Sequence, residues 1–102
     1  MVRLVFCNCS PQEAPALARR LVEENLAACV NILSGVTSFY RWDGQLCEDE
    51  EATLLIKTTD EGYEEFKKAL RRYHSYEVPE IIAVDPKDVD RAYKEWVYEQ
   101  VR

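Results

Sequence analysis

The order of elements legible in this sequence is βαββαβ followed by a C-terminal helix, an α+β fold built on one antiparallel sheet. Three observations predict it. Two blocks of helical periodicity each follow a β-prone block, an Asp43-Gly44 turn separates the two longest β-prone runs, and a proline stands ahead of each of the last two elements.

Val2, Leu4 and Phe6 alternate with Arg3, Val5 and Cys7, so Val2 to Cys9 reads as a strand apolar on one face and nearly so on the other, which is the pattern of a central strand. Ser10, Pro11, Gln12 and Glu13 follow in the order of a capping box, with Pro11 at the first helical position. Ala14, Leu17, Ala18, Leu21 and Val22 then repeat at helical spacing, with Arg19, Arg20, Glu23 and Glu24 on the opposite side. Pro15 removes a first-turn hydrogen bond and moves the expected helix start a few residues on.

Cys29 to Tyr40 is β-prone and interrupted by Ser34-Gly35, which reads as a bulge in one long strand. Asp43-Gly44 is a two-residue hairpin loop of the primed type, and the return strand runs from Gln45 to Thr58. Asp60 is the expected cap of a second helix with Tyr63, Phe66, Leu70 and Tyr73 inside. Pro79 precedes Glu80 to Val84, read as a short buried strand. Pro86 precedes a last helix carrying Val89, Tyr93, Trp96, Val97 and Val101 on one side. Two right-handed βαβ crossovers close this order into a four-stranded ferredoxin-like sheet with its helices on one face.

Each hairpin arm of about 14 residues, at about 3.3 Å per residue, spans roughly 45 Å. A compact chain of this length has a diameter of roughly 34 Å, so the hairpin projects. Its tip holds Phe39, Tyr40 and Trp42. A projecting aromatic ribbon is marginal by itself, and the economical outcome is pairing with copies of the same chain in a closed ring. A twisted, self-contained tip is the alternative.

The 102 residues suit a single domain, 1–102, at 47% hydrophobic and 31% charged. No apolar run reaches the roughly 18 residues of a membrane span. The stretch before Cys9 is broken by Arg3 and shows no cleavage pattern, so a cytoplasmic location is the expectation. A net charge of −6 and a pI of about 4.8 argue against nucleic-acid binding. The basic group Lys67, Lys68, Arg71 and Arg72 reads as a solvated helix face.

Cys7, Cys9, Cys29 and Cys47 are expected as thiols, since no export signal accompanies them. Cys7 and Cys9, at i and i+2 of a strand, share a face and could offer soft ligands to Cu(I) or Zn(II); buried packing is the competing reading. Cys47, near the tip, is the accessible one. The acidic run Glu48 to Glu51 alternates faces and reads as a guard against edge pairing. His74, the only histidine, opens the run His74-Ser75-Tyr76-Glu77-Val78-Pro79-Glu80-Ile81 at the expected end of the second helix. It is the leading site residue, with helix termination as its structural alternative. No nucleophile elbow, phosphate-binding glycine loop or HExxH helix is present, and neither an enzyme nor an organic cofactor is expected.

Several ordered motifs together resemble the CutA divalent-cation tolerance family over nearly the whole chain. They are Leu21-Val22-Glu23, Leu26-Ala27-Ala28-Cys29-Val30-Asn31-Ile32, Val36 to Trp42 with Asp43-Gly44, Lys57-Thr58-Thr59, and the His74 to Ile81 run. The resemblance implies a ferredoxin-like protomer, a homotrimer joined through sheets and hairpins, a likeness to PII signalling proteins, and a link to copper and other divalent metals. Two functional expectations follow. One is a metal-binding tolerance protein for Cu(II), Cu(I) or Zn(II), with His74, Glu80, Cys7 and Cys9 as candidate ligands. The other is a PII-like module that binds a small ligand or a partner protein, with Trp42, Lys57 and Tyr76 lining a cleft between subunits.

The chain departs from the family pattern in three places. Relatives tend to carry a cysteine where this chain has Ser10 or Asn8, and the one-residue offset to Cys7 and Cys9 reverses their facing in a strand. The familiar proline after the histidine is Ser75, and Pro86-Lys87-Asp88 replaces a glycine-containing loop.

Overall fold

A computed structural model describes residues 1–102. The elements are β1 (Val2–Cys9), α1 (Ala14–Glu23), β2 (Cys29–Trp42), β3 (Gln45–Thr59), α2 (Tyr63–Tyr73), β4 (Ile82–Val84) and α3 (Arg91–Gln100). They form a four-stranded sheet in the order β2-β3-β1-β4 with every neighbouring pair antiparallel, so β1 is interior, as its two apolar faces predict.

Strand alternation decides which residues make the core. Val5, Cys7 and Cys9 of β1 lie opposite Ile56, Leu54 and Ala52 of β3, and all six are fully or almost fully buried. The apolar stripes of α1 (Ala14, Leu17, Leu21) and α2 (Tyr63, Phe66, Leu70) close over this face. Burying Phe66 completely contributes about 2–3 kcal/mol, and truncating it to alanine would cost about 3–5 kcal/mol through the cavity left behind.

Several local expectations change. The Ser10–Glu13 capping box forms, with Ser10 N–H donating to Glu13 Oε2 and Glu13 N–H donating to Ser10 Oγ, both at 3.3 Å. It closes a turn, and the helix starts only at Ala14, with Pro15 in its first turn. Asp60 does not cap α2: its carboxylate lies 2.9 Å from Arg3 Nε, and the Thr59 hydroxyl receives the Gly62 N–H at 3.0 Å instead. The strand after Pro79 is an edge strand of three residues, with Ile82 and Val84 exposed, because only β1 flanks it. Finally, the helices do not share one face. Val97 of α3 packs with Val2 and Ala28 in a second cluster, and Val2 points away from the Val5 side of β1. Helix α3 therefore crosses the opposite face, at the end of the sheet remote from the hairpin tip. Its N-cap, Asp90, accepts from the amides of Ala92 and Tyr93.

The β2–β3 hairpin is as long as the sequence predicts, and the molecule measures 45 × 26 × 22 Å. At its turn Asp43 and Gly44 have φ values of 51° and 74°, the two positive angles of a primed turn. The register slips between Leu33 and Val36 around Gly35, whose φ is also 74°, which is the expected bulge.

Candidate functional site

The segment after α2 crosses beneath the hairpin, and between them lies an open cleft of about 720 Å³. Its hairpin wall comes from residues of β2 and β3 that share one face beyond the bulge. Ser38 pairs with Asp49, Trp42 with Gln45, and Glu51 sits two residues on from Asp49. The opposite wall is Tyr76 to Val78 with Glu80, and Asn8 of β1 lines the inner end.

His74 holds this second wall in place. It ends α2, with its amide donating to Leu70 O at 3.0 Å. Its ring is buried, Nδ1 accepts the Tyr76 amide at 3.0 Å, and Nε2 lies 2.9 Å from the Asn8 carbonyl oxygen. Since the amide can only donate and the carbonyl only accept, the ring is the neutral form protonated at Nε2. Both nitrogens are occupied by the backbone, so His74 fixes the loop and has no lone pair free for a metal within this fold. Glu13 supports the same loop, accepting from Ser75 Oγ at 2.6 Å and from the Ser75 amide at 3.3 Å. Burial pushes the Glu13 carboxyl up, but the hydrogen bonds from Ser75 and Ser10 outweigh it and leave the group below the usual carboxylate range. Ser75 thus has a role that a proline could not fill.

Tyr76 reaches across the cleft and donates to Glu51 Oε2 at 2.7 Å. Burial and then this bond to a carboxylate push the phenol up, so it stays protonated. Tyr40 likewise donates to Asp49, and that bond is the main reason its phenol rises to about 12. Neither phenol removes charge from its acceptor. Glu80 is raised by burial and, secondarily, by the charge of Glu51. No lysine, arginine or histidine lines the cleft, so its carboxylates are hydrogen-bonded or desolvated without being neutralised.

The other residues singled out from the sequence fall elsewhere. Cys7 and Cys9 share a face, but it is the core face beneath α1 and α2. Burial raises their thiols to about 12 and about 11, so neither offers a thiolate near neutral pH. Lys57 lies well along β3 from Glu51, on the face opposite α1 and α2, bonded to Asn31 and 3.8 Å from Cys29 Sγ. Trp42 and Tyr76 are therefore brought together and Lys57 is not. No three histidine, cysteine, aspartate or glutamate side chains converge within the chain. Of the donors named from the sequence only Glu80 faces the cleft, beside Glu51 of the acidic run expected to guard the edge. The legible signal for Glu51 was its strand parity with Asp49.

These features sit in a fold with many relatives. The family described as CutA1 divalent ion tolerance protein matches residues 3–100. The chain belongs to that family. Among CutA relatives, the Divalent-cation tolerance protein CutA of Thermus thermophilus is 46% identical over 90 residues, covering 88% of this chain and 87% of its own. A solved structure of the Cut A1 protein from Thermus thermophilus superposes with a TM-score of 0.94 at 42% identity over the whole of both chains. The PII-like protein CutA from Nostoc sp. PCC 7120, in apo form, superposes with a TM-score of 0.93 at 32% identity, covering 98% and 97%. The CutA family is named for tolerance of divalent ions and not for a reaction.

Proposed function

We propose that this chain acts in the cytoplasm as a non-enzymatic homotrimeric divalent-cation tolerance protein that binds Cu(II) or Zn(II) through the carboxylates of the cleft. The observation that carries the reading is the pair Glu51 and Glu80, two carboxylates close enough to raise one of them, with no cation beside them. A divalent ion relieves that repulsion. Oxygen donors favour Cu(II) and Zn(II) over Cu(I), and the paired thiols of Cys7 and Cys9 that could serve Cu(I) are kept protonated in the core. Two carboxylates leave coordination positions for water or for a neighbouring copy. A trimer is supported by the sheet face away from α1 and α2, where Phe6, Leu33, Ile82 and Val84 are exposed together, and by the projecting hairpin.

Calorimetric titration with copper and zinc tests the metal site. Native protein should bind, Glu80→Gln should bind at least about tenfold more weakly, and His74→Ala, where folded, should weaken binding less than Glu80→Gln does, because it loosens the wall beside Glu80 without removing a ligand. No binding by native protein ends the reading, and loss of binding only in His74→Ala moves the ligand role back to the histidine.

A second reading, a PII-like module with a small organic ligand, is favoured by the size of the cleft and its aromatic lining. A space of about 720 Å³ is far more than one ion needs and falls in the range of small-molecule sites.

A further inference from the structure

The aromatic rings of the cleft distinguish it from a plain acidic surface. Phe39, Tyr40 and Trp42 on the hairpin and Tyr76 opposite them stand around the same space as Asp49, Glu51, Glu77 and Glu80. Ring faces attract cations electrostatically and reward contact with carbon, whereas a small hydrated metal ion gains little from them. Asp49 and Glu51 receive their side-chain hydrogen bonds from neutral phenols, Tyr40 and Tyr76, and no cationic side chain lines the cleft beside them. Asp49 and Glu51 are i and i+2 on one strand face, so their backbone positions stand about 6.6 Å apart along it. That separation is close to the distance between the two nitrogens of an extended four-carbon diamine.

Resting on the second reading above, we infer that the cleft binds a linear organic polyamine. Its ammonium groups engage Asp49 and Glu51 in turn, and its methylene chain lies across Tyr40, Trp42 and Tyr76. Glu80, at the inner end, takes a further ammonium where the chain is long enough, and its repulsion by Glu51 falls when it does. The complementarity is one-sided: phosphates and other anions are repelled, and neutral molecules leave the carboxylates unpaired.

The test is calorimetry on the full chain in its native assembly, with chelator present so that metals play no part. Putrescine and spermidine are the probes, 1,4-butanediol is the uncharged control, and a panel of neutral and anionic metabolites runs alongside. Spermidine should bind more tightly than putrescine, butanediol should not bind, and raising salt should weaken both amines. Asp49→Asn, on the exposed hairpin, should weaken putrescine on the order of tenfold, the usual worth of one charge-assisted hydrogen bond. Trp42→Leu should weaken spermidine several-fold. Circular dichroism and light scattering on both variants separate a lost contact from a lost fold or assembly.

Equal binding of butanediol and putrescine, or no effect of Asp49→Asn in a folded variant, overturns the inference. Amines silent while a neutral or anionic metabolite binds in a Trp42-dependent way overturns it too, yet keeps the second reading. Silence across the whole panel ends both.

Discussion

At the scale of single residues, the histidine that the sequence offers as a metal ligand is the anchor of a wall. Replacing His74 by alanine removes a buried ring and leaves the partly buried Asn8 carbonyl and Tyr76 amide without their partner, a loss of about 1 kcal/mol for the bonds. The urea midpoint should fall accordingly, and the cleft should loosen because Tyr76 is no longer held against Glu51. A His74→Ala protein as stable as native would show that the ring bonds matter little.

The two perturbed carboxyls have opposite signs. Glu13 is depressed in the folded chain, so its contribution is present above the unfolded carboxyl value of about 4.3 and is lost as pH falls through the lower folded value. Glu80 is raised, so its stabilising effect belongs to the protonated form, is complete below about 4.3 and is lost as pH rises through the higher folded value. Glu80→Gln should therefore raise the melting temperature at pH 7 and leave it little changed at about pH 3.5. Glu13→Gln should lower it at pH 7 and have less effect in acid. Thermal scans of both variants at the two pH values check the crossing signs; parallel shifts would remove the linkage.

At the scale of elements, what was legible follows from what local sequence encodes. Asp43-Gly44 and Ser34-Gly35 specify backbone angles that few other residues adopt, and alternation fixes which side of β1 and β3 meets the helices, so the hairpin, its bulge and the main core could be read directly. A periodic stripe says that a helix has an apolar side, but it does not say which layer will cover it. This is why the position of α3 on the second face was not readable. The cap of α2 departs from the expectation for a related reason: Asp60 has the right chemistry, and the tertiary approach of Arg3 diverts it. The cleft likewise joins residues far apart in the chain, such as Tyr40 and Tyr76, and no local pattern announces it. Gly35 gives a clean test of the backbone claim. A Cβ there meets nothing within 4 Å, so Gly35→Ala costs only the left-handed conformation, about 1–2 kcal/mol, and Gly35→Asn should recover part of that loss. Equal stability of all three proteins would mean that the bulge relaxes.

At the scale of the whole molecule, the exposed sheet face carries a consequence that the protomer alone does not satisfy. Phe6 lies in register with Leu55 on one side and Ile82 on the other, and Leu4 with Val84, so these side chains form one continuous apolar area. It lies on the far side of the sheet from the cluster under α1 and α2. A charge placed there disturbs any contact between copies while leaving that cluster intact. Phe6→Asp should convert a trimer seen by light scattering at micromolar concentration into monomer, with far-ultraviolet circular dichroism retained. The melting temperature of native protein should rise with concentration, because assembly stabilises the fold by mass action, while that of Phe6→Asp should not. A native chain that is already monomeric, or a Phe6→Asp chain that remains trimeric, would contradict the ring. The first result would leave the aromatic hairpin needing a different partner. The second would place the contact on the hairpin alone, where Phe39 and Leu46 are the most exposed apolar side chains.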